Sequence, residues 1–479
     1  MPATYKQYIG GEWRDASNGA TWDVINPATE EVVCTVPYGR AADCEAAIDA
    51  AATAFPEWSR RTAYERGAIL NAAADLMRAR ADALARTTVL ESGKPIAQAR
   101  GEWTVAADLF EWFAEEGKRA YGRIVPSRVA SKRLLVIKQP IGVVGVITAW
   151  NFPAYNVARA SAAALAAGCT VVARPSEFTP LAAMEMVGIL VEAGLPAGVM
   201  NVINGEPEPM GQAMLTHPAC AKVHFTGSVG VGKHLMDGAS RTVTRLSLEL
   251  GGNAPVLVFP DVDVKQVAAG AVASKFRNGG QVCVAPQRFL VHERVKEEFV
   301  SQVGDRVLSL RVGPGLDPET QVGPLINARQ RERVAALVDS ARASGATVRA
   351  GGSIPRDRAK GYFYEPTLVA DVQPSMPLYS EEIFGPVMPV VSFDEVDEAI
   401  AFANSTRYGL AAYVWTADLR TAARAWERLE FGMIGVNEWT PQAVEVPFPG
   451  WKESGLGREG GVEGLEEYLE TKVVAIGGL

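Results

Sequence analysis

The sequence predicts an α/β protein built on a doubly wound parallel sheet, with a second α/β unit behind it. Three observations carry this. From about Val143 to Leu250, short runs rich in β-branched and apolar residues (VVGVITAW, CTVVAR, VMNVIN, AKVHFTG, RLSLEL) alternate with segments of helical spacing. Strands spaced this way need right-handed crossover helices, and such crossovers make a parallel sheet. Pro180 opens one of these helices and Gly194–Leu195–Pro196 closes it, a start and stop that suit helix termini. From Asn253 to Pro449 the alternation resumes with APVLVF and a helix through VAAGAVASKFRNGG. Doubly wound sheets bind ligands at the carboxyl ends of their strands, so the chemistry is expected there.

Two strand-like pieces stand apart. KRLLVIKQP ends at Pro140, and EYLETKVVAIGGL closes the chain. Isolated strands at opposite ends of a chain pair with each other or with another subunit, which predicts a small β flap for oligomerisation. The domain expectation is therefore 1–121 with 141–252 for the cofactor unit, 253–449 for the catalytic unit, and 122–140 with 450–479 for the flap.

Composition excludes several classes. With 48% hydrophobic and 21% charged residues, the 479-residue chain is an ordinary globular mix, enough for about two to four domains. A net charge of −8 and no cluster of Lys and Arg argue against nucleic acid or anionic lipid as a partner. The five cysteines, at 34, 44, 169, 220 and 283, are odd in number and scattered, so neither a disulfide framework nor a metal site is expected. The first residues, MPATYKQYIGGEW, lack the basic start and apolar run of a signal peptide, which points to the cytoplasm. Between Ile141 and Ala173 the lone charge is Arg159, but glycines, asparagines and Pro153 interrupt the run, so a buried strand, turn and helix fit better than a membrane span.

Four segments carry candidate chemistry. Cys283 follows Arg277-Asn278-Gly279-Gly280-Gln281-Val282, where glycines let backbone approach a ligand and a thiol can be reached; the plain alternative is a buried apolar thiol. In RLSLEL, Leu246, Leu248 and Leu250 share one face of a strand, leaving Ser247 and Glu249 on the other. A partly desolvated Glu249 could activate water, or simply end the strand in a salt bridge. Asn151, in AWNFP, could donate to an oxyanion or cap the helix opened by Pro153. FTGSVGVG, from Phe225 to Gly232, could hold a pyrophosphate at a helix N-terminus, although no full G-x-G-x-x-G is present.

Together WNFP, RPSE, FTGS, LELGGN, FRNGGQVC, EEIFGP and SGLGREG resemble the aldehyde dehydrogenase superfamily, in its order and over nearly the whole chain. The resemblance implies a Rossmann-type cofactor domain, a second α/β catalytic domain and the oligomerisation flap. It also implies a thiol mechanism: Cys283 as nucleophile, Asn151 and the Cys283 N–H at the oxyanion, and Glu249 activating the water that hydrolyses a thioester. For NAD, with NADP as the alternative, it implies Trp150, Gly227, Ser228 and Val231 at the adenine and pyrophosphate part. Arg174, Ser176 and Glu177 would stand at the adenosine ribose, Leu250 at the nicotinamide, and Glu382 with Phe384 at its ribose.

WFAEEGKRAYG, KRLLVIKQPIGV and ASKFRNGGQ are similar to the succinic semialdehyde dehydrogenases. Phe152, Tyr155 and Arg159 fall on one helical face beside Asn151, and Arg277 lies six residues before the thiol. Two guanidinium groups there could clamp a substrate carboxylate, the alternative for each being a structural ion pair.

Three departures from that subfamily matter. Arg174 stands where Lys is usual, and with Glu177 beside it NAD is favoured. Ala285 stands where a second cysteine often makes a redox switch, so no such switch is expected. The loop Asn437–Gln442 carries Trp439 and Gln442 where small and hydroxyl residues are usual, so a reshaped substrate tunnel is expected. The expected protein is a cytoplasmic homodimer or homotetramer oxidising a short ω-carboxylated aldehyde. Oxidation of a neutral or aromatic aldehyde is the rival, ahead of acyl transfer to coenzyme A or a non-catalytic crystallin-like protein.

Overall fold

A computed structural model describes residues 5–358 and 360–478; the first four residues of the N-terminal stretch considered above lie outside the described residues. The first sheet has eight strands, in the order Glu12–Arg14, Gln7–Ile9, Met200–Val202, Thr170–Arg174, Val143–Ile147, Cys220–Thr226, Arg245–Glu249 and Gly455–Leu456. The five from Met200–Val202 to Arg245–Glu249 are parallel, and three short antiparallel strands close the edges. Taken in chain order those five lie 3-2-1-4-5, so the order reverses between Val143–Ile147 and Cys220–Thr226. That reversal opens the crevice in which doubly wound folds bind ligands.

Both faces of this sheet are covered, which is why its strands read as continuous apolar runs. All five residues of Val143–Ile147 are buried. Helices Ala63–Ala79, Ile96–Glu116, Pro153–Ala167 and Leu181–Glu192 build the core on one side. Ala41–Arg60, Pro207–Thr216 and Val229–Ser240 build the other. The helix Pro153–Ala167 is the low-charge segment of the sequence: it is buried along its whole length except at Tyr155, and Gly168 ends it with φ 98°. A helix apolar all round is a core helix, and among the described residues no helix is long and apolar enough to cross a membrane.

The second sheet has seven strands, ordered Thr347–Ala350, Thr367–Ala370, Val387–Phe393, Pro286–His292, Ala254–Val258, Ala411–Trp415 and Met433–Val436. All neighbours are parallel except the first pair. In the third sheet Leu469–Ile476 pairs antiparallel with Arg133–Pro140, in unbroken register from Leu469 opposite Pro140 to Ile476 opposite Arg133, and Arg123–Val125 adds a third strand. The two terminal runs therefore meet each other. The start of 450–479 behaves differently from the expectation: Trp451–Lys452 pairs with Tyr408–Gly409, and Gly455–Leu456 pairs with Leu248–Glu249. The C-terminal segment thus passes from a separate two-stranded pair over the edge of the first sheet before it reaches the third.

Candidate active site

A cavity of about 890 Å³ lies where the two large sheets meet. Cys283, Glu249 and Asn151 all line it. Asn151 follows the carboxyl end of Val143–Ile147 and Glu249 ends its own strand, as expected. Cys283 does not follow that rule: it precedes Pro286–His292 and so sits at the amino end of its sheet. The site is assembled from the carboxyl edge of one sheet and the amino edge of the other, a juxtaposition no local pattern encodes.

The thiol loop is held by its backbone conformation. Asn278, Gly279 and Gly280 all have positive φ, which turns the chain sharply after Phe276. At Gly280 a side chain would strike the carbonyl of Gly385, so glycine is required there. Asn278 Nδ2 donates to the Asn151 carbonyl at 2.9 Å, and Asn151 Nδ2 donates to the Gln281 carbonyl at 3.0 Å. Asn156 Nδ2 donates to Asn151 Oδ1 at 3.3 Å, which fixes the amide with its NH₂ turned toward the thiol loop. One N–H of that amide remains for a substrate oxygen. Asn151 does not cap the adjacent helix; Glu102 does this from a distance, accepting from Ala154 N at 2.8 Å and Tyr155 N at 3.1 Å. Glu102 pairs with Lys94 in full burial, and Lys94 Nζ also donates to the Asn151 carbonyl at 2.8 Å. The sequence reading missed Lys94 and Glu102; Lys94 lies in a Gly-Lys-Pro helix break, a visible but ambiguous signal.

The two glycines after Glu249 have separate tasks. A side chain at Gly251 would strike the Glu382 carboxylate, and one at Gly252 would strike the Cys283 carbonyl. Gly252 N donates to Glu382 Oε1 at 2.9 Å. Burial raises the Glu382 carboxyl to about 7, against the opposing pull of that N–H. Burial likewise pushes the Cys283 thiol up to about 12, with Arg159 opposing and Glu382 and Glu249 adding to the rise. Glu249 is buried, its Oε2 has no partner, and burial, then the charge of Glu459, raises its carboxyl well above the usual range.

Features at the sheet's crevice fit a dinucleotide. The helix Val229–Ser240 points its N-terminus at the cavity, capped by Ser228, and the space beside Gly230 is open. Thr226 lines the cavity with a buried hydroxyl that has no partner. Trp150 and Phe384 meet edge to face at 5.4 Å. Trp150, Gly227, Ser228, Leu250, Glu382 and Phe384 all line the cavity. Arg174, Ser176, Glu177 and Val231 do not. Arg174 Nη2 donates to Glu177 Oε2 at 2.9 Å and to the Gly205 carbonyl at 2.6 Å, while its buried Nε has no partner. Ser176 is buried beside them, and Val231 is 47% exposed on its helix.

Of the substrate candidates, Phe152, Tyr155, Arg159, Arg277 and Gln442 line the cavity. Two expectations need correction. Arg159 is not a free clamp: it pairs with Glu459, each side chain 2% exposed, and its guanidinium stacks at 4.2 Å over Phe448 and 4.9 Å over Tyr155. The partner comes from SGLGREG, far along the chain, so the spacing around Asn151 could not reveal it. Arg277 has no ion pair among the described residues and lies 5.6 Å from the Phe152 ring. Trp439, in turn, does not line the cavity. Its ring packs on Trp415 at 4.7 Å and Tyr413 at 5.6 Å, and it fills the space left by Gly270. A flat ring finds more apolar surface there than in a wet tunnel.

The family model for the "Aldehyde dehydrogenase family" matches residues 13–474. The chain belongs to the aldehyde dehydrogenase family. Among curated relatives of this aldehyde dehydrogenase, the succinate-semialdehyde dehydrogenase [NADP(+)] GabD of Escherichia coli (strain K12) is 45% identical over 98% of this chain and 97% of its own. The glutarate-semialdehyde dehydrogenase of Pseudomonas putida is 44% identical with the same coverage. The crystal structure of a succinate-semialdehyde dehydrogenase from Burkholderia pseudomallei superposes with a TM-score of 0.97 at 43% identity, covering 99% of this chain and 98% of that one. The protein is thus an NAD(P)-dependent aldehyde dehydrogenase with the α/β architecture read from the sequence.

Proposed function

We propose that this aldehyde dehydrogenase oxidises a short aldehyde bearing a distal carboxylate, such as succinic semialdehyde, and that Arg277 is the group that meets the carboxylate. The carrying observation is a guanidinium that lines the cavity, six residues before the thiol, with no acidic partner among the described residues. A planar fork matches a carboxylate bidentately, and in a partly desolvated wall such a pair is worth more than at the surface. The names of the two semialdehyde dehydrogenase relatives support the same class.

The Cys283 thiolate adds to the aldehyde carbon, and the oxyanion so formed takes hydrogen bonds from the Asn151 amide and the Cys283 N–H. A nicotinamide cofactor bound in the cavity supplies the hydride acceptor. On the resulting Cys283 thioester, Glu249 takes a proton from water, the hydroxide adds to the acyl carbon, and the acid leaves as the thiolate is restored. Ser228, Gly227 and the helix N-terminus would hold the pyrophosphate, Val231 and Trp150 would flank the adenine part, and Leu250 would lie at the nicotinamide. Glu382 would accept the nicotinamide ribose hydroxyls with Phe384 alongside. Arg174, Ser176 and Glu177 would stand at the adenosine ribose. Because Glu177 already neutralises Arg174, a 2′-phosphate gains little there, which favours NAD over NADP.

We place the enzyme in the cytoplasm, supported by five cysteines that are all unbridged. A homodimer or homotetramer through the three-stranded flap is supported by apolar side chains left in water on it, Val473 at 66% and Ile124 at 76% exposed. A chain ending at Gly464 is expected to lose that assembly in sedimentation velocity; an unchanged oligomer would exclude the flap.

An aldehyde panel with both cofactors tests the central reading. ω-Carboxylated aldehydes are expected to exceed their uncharged analogues in kcat/KM by tenfold or more, about 1.4 kcal/mol or above. Equal values for the two sets would remove the carboxylate from the substrate class.

A further inference from the structure

Against the Asn151 backbone lies a buried ion pair that the thiol chemistry does not use. The Lys94 and Glu102 side chains are wholly buried and bond to each other. The Lys94 ammonium has three protons to place. Glu102 Oε2 takes one, the Asn151 backbone carbonyl accepts another at 2.8 Å, and the charge sits 4.2 Å from the centre of the Phe152 ring. The other oxygen of Glu102 accepts from Ala154 N at 2.8 Å and Tyr155 N at 3.1 Å. The pair therefore grips the chain from Asn151 to the first turn of the helix Pro153–Ala167.

The same stretch reaches the thiol loop. Gln98, one turn before Glu102 on Ile96–Glu116, accepts from Asn278 N at 2.7 Å. Asn278 in turn donates its Nδ2 to the Asn151 carbonyl at 2.9 Å, so this carbonyl takes one hydrogen bond from Lys94 and one from the thiol loop. Both of its lone pairs are then engaged. Asn278 holds a left-handed φ of 49°, which a residue other than glycine keeps only where its surroundings hold it. Asn151 and the loop of Cys283 come from different sheets, and residues 94–102 tie them together.

We propose that Lys94 and Gln98 are positioning residues, which hold the Asn151 amide in register with Cys283. This rests on the reading of Asn151 as an oxyanion donor. A donor stabilises a developing charge only where it is already aimed at it, and an error of about 1 Å can slow a reaction on the order of a hundredfold. Lys94 contributes position and not field, because Glu102 balances its charge at contact distance. A buried ion pair is a weak source of stability, since desolvation cancels most of the attraction. Its geometry here fits the fixing of one carbonyl.

The test is the rate of the NADH burst in single turnovers, measured against aldehyde concentration. That burst contains thiol addition and hydride transfer, the steps in which the oxyanion forms and collapses. Lys94→Met combined with Glu102→Gln removes the brace and leaves no buried charge unpaired. The limiting burst rate is expected to fall about 10–100-fold, while the aldehyde concentration at half-maximal rate moves by less than about threefold. In an Asn151→Ala background the same double change is expected to slow the burst by about threefold at most, because no amide is left to align. An unslowed burst overturns the proposal, and so does an equal factor in both backgrounds, which is what a purely structural pair would give. Asn151→Ala with a burst at the wild-type rate would remove the oxyanion reading itself, and the proposal with it; a slow Asn151→Ala beside an unslowed double variant removes the brace alone. Where the double variant fails to fold, Gln98→Leu, which deletes one hydrogen bond and no charge, carries the same expectations in the same two backgrounds.

Discussion

Arg159 and Glu459 form an ion pair with both side chains 2% exposed, joining the helix that follows Asn151 to the segment that leads into the third sheet. The pair removes Arg159 from substrate recognition as a net charge while keeping it in the cavity wall. Separating such a pair leaves an uncompensated buried charge, which costs about 3–5 kcal/mol. Arg159→Ala should therefore lower Tm sharply, and in whatever folds, the preference for carboxylated aldehydes should persist. A preference that vanished with Arg159 while Tm held steady would restore it to the substrate site.

Arg277→Ala should do the opposite. Stability should change little, because no ion pair is lost, while kcat/KM for an ω-carboxylated aldehyde falls by about 2–3 kcal/mol relative to its uncharged analogue. Steady-state kinetics on the matched pair, with a melting curve beside them, checks both halves.

Glu249→Gln keeps the volume and removes the base. Thiol attack and hydride transfer precede its role, so a burst of about one NADH per active site should remain. Turnover after the burst should fall about 10²–10⁴-fold. A variant that lost the burst along with the steady state would place Glu249 earlier in the reaction.

The Cys283 thiol, pushed up to about 12 by burial, should react slowly with iodoacetamide in the ligand-free enzyme at neutral pH. The thiolate is the nucleophile, so its fraction, and with it the alkylation rate, should rise about tenfold per pH unit on the alkaline side of neutral. Mass spectrometry of the modified peptide follows it. A rate that is flat from pH 7 to 9 would mean the thiol is already ionised.

Trp439→Ala should act on stability and not on substrate. Removing a large ring packed on Trp415 and Tyr413 costs about 3 kcal/mol, seen as a lower Tm. KM for short aldehydes should stay close to the wild-type value; a large change there would return Trp439 to the tunnel wall.

The sequence by itself determined the layers and marked the candidate reacting groups. Runs such as VVGVI and CTVVAR, alternating with helical spacing, read as strands of a parallel sheet, the glycines of LELGGN and FRNGG marked places where backbone comes close, and the ordered motifs carried the family. These signals are local, because strand period, turn residues and motif spacing live within about ten residues. The tertiary structure alone decided which charges are free. Whether Arg159 clamps a substrate or an internal acid depends on Glu459, three hundred residues away, and whether Trp439 lines a tunnel depends on a gap beside Gly270. It also set Cys283 on the amino edge of its sheet, facing the carboxyl edge of the other. Charge pairing and packing are settled by what is nearby in space, and the chain's local pattern holds no record of that.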